Sequence, residues 1–470
     1  MPRTQPRALP RALPRALLMA FSLLSLALLL SFGVAQPILA QTALTTSVPL
    51  SPYPPNISFG GGGPMVMLAA SRDHTLFSPI YTDYEDLDGD GRDDDVYKPT
   101  FRYYGYFDPD KCYRYAKETK QRSVERFEPV DLPAKVGAGG GSTPSGSYLS
   151  CKNSAGRWSG NFLNWATMTR IDVVRKTFYG GYRKEDTSDT TTLEMAQMAQ
   201  DSHAFVKYYS GSDIDQFTPF SLTGDLGGKG LTLCSRASTR EAFGADSYPL
   251  IRLAKGNVSL WGTTPARVCS WADEDNYQFG KKAQLFYAKY GPSRGLLVDG
   301  KVPPTAHVTS VPSRDLDGAR YGEGDARIGP ELAVRVQACA DGLVGSERCR
   351  AYTSTTSSGT TKVSLKPIGL LQEFATTSAP EQAALAEFGL ITGSYDSNLR
   401  GGVLRKNVSS LNDEVDSRTG RFCHNLSDRS NTSCPVVSGS ADGPPPGIIV
   451  SLDRIRLYSA GNYNRAVGTA

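Results

Sequence analysis

The sequence predicts an α/β protein: a mostly parallel sheet with helices on both faces, interrupted by long β-rich and irregular insertions. Three segments carry this reading. Met65-Val-Met-Leu-Ala-Ala70 is an unbroken apolar run after the turn signal Gly60–Gly63, the pattern of a strand buried on both faces. Phe388-Gly-Leu-Ile-Thr-Gly393 reads as a second buried strand ending in a turn. Between Gly160 and Phe178, Leu163, Met168, Ile171, Val174 and Phe178 share one helical face, with Arg170, Asp172 and Lys176 off it. Gly180-Gly181 ends that helix. The insertions follow from 47 glycines and 30 prolines, which imply many turns. Gly137–Gly146 reads as a Gly/Ser-rich loop and Ala351–Thr361 as a Ser/Thr-rich one.

The chain has 470 residues, ample for a sizeable core. Its first forty residues carry Arg3, Arg7, Arg11 and Arg15, no acid, and an apolar run from Ala16 to Val34. That order predicts a signal peptide over 1–40, cleaved after Ala35 or Ala40. An uncleaved anchor is the competing reading, because the run is nearly long enough to span a bilayer. Lys plus Arg number 51 and Asp plus Glu 47, so removing the leader leaves 47 of each sign. A neutral mature chain has no electrostatic motive for binding nucleic acid. Eight cysteines fall as neighbours along the chain: Cys112 and Cys151, Cys234 and Cys269, Cys339 and Cys349, Cys423 and Cys434. An even number in an exported chain predicts disulfides; sequential pairing is one of 105 connectivities. A zinc site would need close pairs such as C-x-x-C, and none occurs.

One segment carries chemistry by itself. Asp86-Leu-Asp88-Gly-Asp90-Gly91-Arg92-Asp93-Asp94-Asp95 places carboxylates at positions 1, 3, 5 and 9 of a calcium loop, with glycine at position 6. Ca²⁺ takes about six to eight oxygens, which alternating aspartates wrap around one ion. The expected ligands are Asp86, Asp88, Asp90, the Arg92 carbonyl and Asp94. Position 12 is Tyr97, so the closing glutamate of an EF-hand is missing and Asp93, Asp94 or Asp95 must complete the shell. A solvated acidic turn is the plain alternative. No H-E-x-x-H, G-x-S-x-G or Walker loop occurs among or around the four histidines His74, His203, His307 and His424. Asp73 and His74 are the residues from which a hydrolase would be built, and a hydrogen-bonded structural histidine competes with that reading.

Several segments occur in a recognisable order. They are Ser71-Arg-Asp-His-Thr-Leu-Phe77, the Asp86–Asp94 loop, Tyr103-Tyr-Gly-Tyr-Phe-Asp108, Lys111-Cys-Tyr113, and the tryptophan-bearing stretch Trp158–Asp172. Val173–Lys176, Tyr179–Arg183, Asp201–Ala204, Lys366–Glu373, Gly389–Asp396 and Gly401–Asn407 follow. Together they resemble the amino-terminal half of the PilC/PilY family of type IV pilus tip-associated proteins, from about Met65 to Tyr463. The resemblance implies a von Willebrand A-like doubly wound sheet, calcium dependence, and a non-enzymatic role in pilus biogenesis and adhesion. It implies minor pilins and the pilus machinery as partners, a host or abiotic surface as a second contact, and a place at the pilus tip in the periplasm, outer membrane or cell surface. The expected organisation is signal peptide 1–40, Pro/Gly-rich linker 41–64, a region 65–463 that the resemblance makes A-like, and tail 464–470. After Met65–Ala70 the chain reads Ser71-Arg-Asp73-His-Thr75, not the D-x-S-x-S of an adhesion-site metal centre; Asp73 and Asp396 remain its candidates. Family members continue into a carboxy-terminal β-propeller, so the A-like domain is expected to be incomplete here. A calcium-stabilised secreted hydrolase and a truncated remnant without function are the alternatives.

Overall fold

The computed structural model describes residues 64–456, apart from the internal segments 120–123, 133–134, 138–146, 199–202, 239–246, 258–330, 356–358, 360, 376–384, 394–401 and 425–446. The leader, most of the linker, the loop after Gly137, Asp396, His307, Cys269, Cys434 and the tail therefore lie outside the described residues. The elements begin with β1 (Met65–Ala70), β2 (Cys112–Ala116), β3 (Arg126–Asp131), β4 (Lys135–Gly137), β5 (Ser147–Leu149) and β6 (Trp158–Ser159). Helices α1 (Gly160–Thr167) and α2 (Arg170–Tyr179) come next, then β7 (Arg183–Asp186), β8 (Thr191–Glu194), β9 (Phe205–Tyr209), β10 (Leu231–Ala237) and β11 (Pro249–Lys255). The last group is β12 (Leu332–Ala333), β13 (Arg335–Ala338), β14 (Cys349–Thr355), β15 (Thr361–Pro367), α3 (Leu370–Ala375), β16 (Glu387–Thr392), β17 (Val403–Ser409) and α4 (Ile448–Asp453).

The result is a mixed α/β protein, rich in sheet and poor in helix. Its sheets run β1-β16-β17, β12-β11-β10-β9 and β6-β2-β3-β13-β8-β7, with two-stranded ribbons β14-β15 and β4-β5. Among the described residues only β1–β16 and β13–β3 are parallel. The expected mostly parallel sheet is therefore not what the described strands form: tight antiparallel pairings dominate, as between β10 and β11. No helix among the described residues is long and apolar enough to cross a membrane.

Strand β1 also corrects the expectation of two-sided burial. Among the described residues it lies at the edge of its sheet, and Met65 and Met67 are 62% and 46% exposed. Its other face, Val66, Leu68 and Ala70, packs on a core that includes Ile171, Leu390 and Ile448. An apolar run reports what can be buried, and here only alternate residues find a partner. The central strand of that sheet is β16, with Leu390 fully buried.

The single helix expected over 160–178 is two. Met168 and Thr169 are extended, and Thr169 caps α2 by accepting from the Asp172 amide. The break frees backbone for Ser78–Ile80: Ile80 N donates to Met168 O at 3.0 Å and Arg170 N to Ser78 O at 3.1 Å. Asp172, read as off the apolar face, is fully buried and accepts both from Thr169 Oγ1 and from the Ala196 amide. A threonine three residues before an acid is a helix-start signal that the apolar periodicity masked. Gly180 ends α2 with φ of +85°, as a left-handed cap requires. Much of the Ser/Thr-rich segment 351–361 belongs to the β14–β15 hairpin, because alternating threonines and serines suit a half-exposed ribbon.

A second core is aromatic. Tyr97, Phe162, Trp165, Tyr209 and Phe217 meet with ring centroids 5.0–6.4 Å apart, mostly tilted or edge to face. Disulfides Cys112–Cys151 and Cys339–Cys349 staple chain outside these cores, the former together with buried Leu149. Cys234 and Cys423 are also disulfide-bonded.

Candidate metal-binding loop

The Asp86–Asp95 segment is a closed turn. Asp94 N donates to Glu85 O at 3.0 Å, and Asp94 Oδ2 accepts from Leu87 N at 2.8 Å, so the two ends are pinched together. Asp86 organises the interior: its Oδ1 accepts from Gly89 N at 2.7 Å and Asp90 N at 3.0 Å, and its Oδ2 from Gly91 N at 2.8 Å. Gly91 has φ of +84°, a conformation that a side chain would strain. Asp90 Oδ1 accepts from Arg92 N at 2.9 Å.

Of the expected ligands, the fold gathers three: Asp86, Asp88 and Asp94 each offer a carboxylate oxygen, all within 4.8 Å of one another. Asp94 is buried while Asp86 and Asp88 are exposed, which gives a set closed on the protein side and open to solvent. Asp90 is turned toward a residue that the sequence reading did not single out, Lys98. The Lys98 Nζ lies 2.8 Å from Asp88 Oδ2 and 3.4 Å from Asp90 Oδ2, and also pairs with Asp94. The ammonium is the local counter-charge to three carboxylates. The hydrogen bonds that Lys98 donates to Asp88 and Asp94 raise its pKa above the usual lysine range, and the bond from Lys98 lowers that of Asp88. No spacing rule links a lysine ten residues downstream to Asp88; only the return of the chain through Tyr97 brings it there.

Tyr97 explains the missing twelfth ligand. Its ring is buried in the aromatic core and its hydroxyl accepts from Asn161 Nδ2 at 3.1 Å, so position 12 anchors the loop instead of closing a coordination shell. The donor set is all oxygen and carries a high local negative charge, the chemistry of a hard divalent cation such as Ca²⁺. Asp86, Asp88 and Asp94 would be its side-chain ligands, with Lys98 displaced.

The Asp73–His74 pair is arranged differently from an acid–base dyad. Asp73 Oδ1 accepts from Thr75 N at 2.8 Å, capping the turn His74–Phe77, and that turn's hydrogen bonds lower its pKa. His74 Nδ1 lies 3.2 Å from Nε2 of His203.

The chain is similar to known proteins over much of its length. Residues 94–254 match the small alpha/beta domain of PilY1 homologues, and residues 388–469 match their second domain. A Xylella fastidiosa protein named type IV pilus biogenesis factor PilY1 homolog is 31% identical over 367 residues, which cover 76% of this chain and 20% of that protein. Another of the same name and organism is 43% identical over 105 residues, covering 22% of this chain and 8% of its own length. The match thus spans a fifth or less of these relatives' length. No solved structure matches. Two domain matches in chain order, with 31% identity over 76% of the chain, make it similar to the PilY1 homologues over most of its length.

Proposed function

We propose that the chain is an exported, non-enzymatic component of the type IV pilus tip or of its assembly machinery. The observation that carries this reading is the 31% identity over 76% of the chain to a protein named as a pilus biogenesis factor. The leader, the disulfides and the acidic loop support it, since all three suit a scaffold outside the inner membrane. Minor pilins are its partners, with a host or abiotic surface as a second contact. The β1-β16-β17 sheet, with its parallel β1–β16 pair and α2 packed beside it, is the part proposed to belong to a von Willebrand A-like domain. The Asp86–Asp94 loop is its calcium site, with Asp86, Asp88 and Asp94 holding the ion and Asp90 and the Arg92 carbonyl completing its sphere.

The decisive experiment is fractionation. A tagged chain carrying its own leader, expressed in a piliated host, is expected in the sheared-pilus fraction and absent from the equivalent fraction of a strain lacking the major pilin. A chain that is exported yet never co-fractionates with pili or minor pilins overturns the assignment.

A further inference from the structure

A cavity of about 250 Å³ opens where four segments meet. Its walls are the turn 102–109, the end of α2, the Ser346–Arg348 corner of the loop closed by Cys339–Cys349, and Pro367–Ile368 at the end of β15. Lys176 stands in it. Its ammonium donates to Gly105 O and lies 4.4 Å from the centre of the Tyr104 ring. Among the described residues no carboxylate comes within ion-pair distance of Lys176.

The acids of the wall are already committed. Asp108 accepts from Ser346 N at 2.7 Å, Ser346 Oγ at 2.6 Å and Asp110 N at 2.9 Å. Glu347 pairs with the fully buried Lys111 and accepts from Cys339 N at 3.1 Å. Arg102 and Arg348 also reach the cavity, each bridged outward, to Asp110 and Glu373. With these partners counted, four cations face four carboxylates, and among the described residues Lys176 is the lining cation with no carboxylate paired directly to it. The rest is apolar: Tyr104, Leu193, Pro367 and Ile368 offer ring and aliphatic surface. A largely apolar lining with a few placed polar groups is where small ligands bind.

We propose that this cavity is a binding site for a monoanionic carboxylate on an apolar stem, with the carboxylate seated on the Lys176 ammonium and the stem against Tyr104 and Leu193. A free small acid and the terminal carboxylate of a polypeptide share this chemistry. Burial lowers the Lys176 pKa to about 8, with Glu347 and Asp108 pulling the other way. A bound carboxylate gives the ammonium the direct ion-pair contact it lacks, and such charge-assisted bonds are the strong ones.

The test is calorimetric titration of the full chain with benzoate and hexanoate, with benzyl alcohol as neutral control. A dipeptide ending in phenylalanine, with free or amidated carboxyl terminus, distinguishes the two sources. Saturable binding of either acid form, absent for alcohol and amide, is expected, weakened about tenfold or more in Lys176→Met. Affinity should fall as pH rises through about 8, where the ammonium is lost. A measurement without substitution guards against a misfolded variant: at pH 8 an amine-acylating reagent should modify Lys176 ahead of exposed lysines, and benzoate should protect it. Absence of saturable binding up to about 10 mM, equal binding by Lys176→Met, or equal uptake of benzyl alcohol overturns the proposal, as does acylation that benzoate leaves unchanged.

Discussion

Two clusters in this protein use the same residue types to opposite ends. In the acidic loop, Asp88, Asp90 and Asp94 surround Lys98 at the surface, where two of the three carboxylates stay open to water. In the interior, Asp186 lies between Arg183 and Lys366, with all three side chains at most 2% exposed. There every component has protein partners. Arg183 donates to Asp186, Gly420 O and Pro367 O; Lys366 donates to Asp186 and Thr191; the Phe422 amide closes on Asp186 Oδ2 at 2.9 Å. The two lysines register the difference. Neighbouring carboxylates raise the pKa of Lys98, whereas burial lowers that of Lys366 against the pull of Asp186. A surface cluster leaves lone pairs for an added cation, and a sealed one uses its charges to join β7, β15 and the 420–422 turn.

The comparison breaks most visibly at Asp186. Asp186→Ala leaves Arg183 and Lys366 buried without the carboxylate they share, and should cost about 3–5 kcal/mol in urea unfolding. A cost below about 1 kcal/mol would mean that the interior cluster is no better sealed than the surface one.

Calcium tests the open cluster. A site of the extracellular kind, with Kd ~0.1–1 mM, adds about 0.4–1.4 kcal/mol at millimolar calcium. Asp88→Ala and Asp90→Ala should each abolish the calcium-induced rise in melting temperature. An unchanged rise in both variants would remove the loop as the site.

Lys98 sharpens the contrast further. It is the cation that calcium must displace, so Lys98→Met should bind calcium up to about fivefold more tightly, the equivalent of one exposed ion pair. Direct titration with a calcium electrode measures this, and weaker binding by the variant would show that Lys98 supports the ion.

The smallest effect is a difference in pH dependence. A lysine whose folded pKa lies below its unfolded value near 10.4 binds fewer protons when folded, so stability rises with pH toward that value. Wild type should therefore gain on Lys366→Met as pH climbs to about 10.4. Lys98 has the opposite sign: its contribution is complete below the unfolded pKa and is lost only as pH rises through the raised folded one. Parallel unfolding curves for the two variants across that range would contradict the assigned directions.

What the sequence determined by itself is local. The D-x-D-x-D-G spacing alone prescribes a turn in which Asp86 binds backbone amides and Gly91 takes a positive φ, because these interactions span five residues or fewer. The strand at Phe388–Thr392 and the helix stop at Gly180 were legible for the same reason. What tertiary structure decided is which charges meet and which apolar faces find cover. Lys98 reaches the loop because Tyr97 is buried in the aromatic core, and Asp186 meets Lys366 across 180 residues. The helix breaks at Thr169 because Ser78 and Ile80 take up its backbone, and β1 leaves Met65 and Met67 exposed because nothing described packs on that face. Periodicity records only a segment's own preference; pairing depends on chain entropy and packing summed over distant segments, and those terms are absent from any local window.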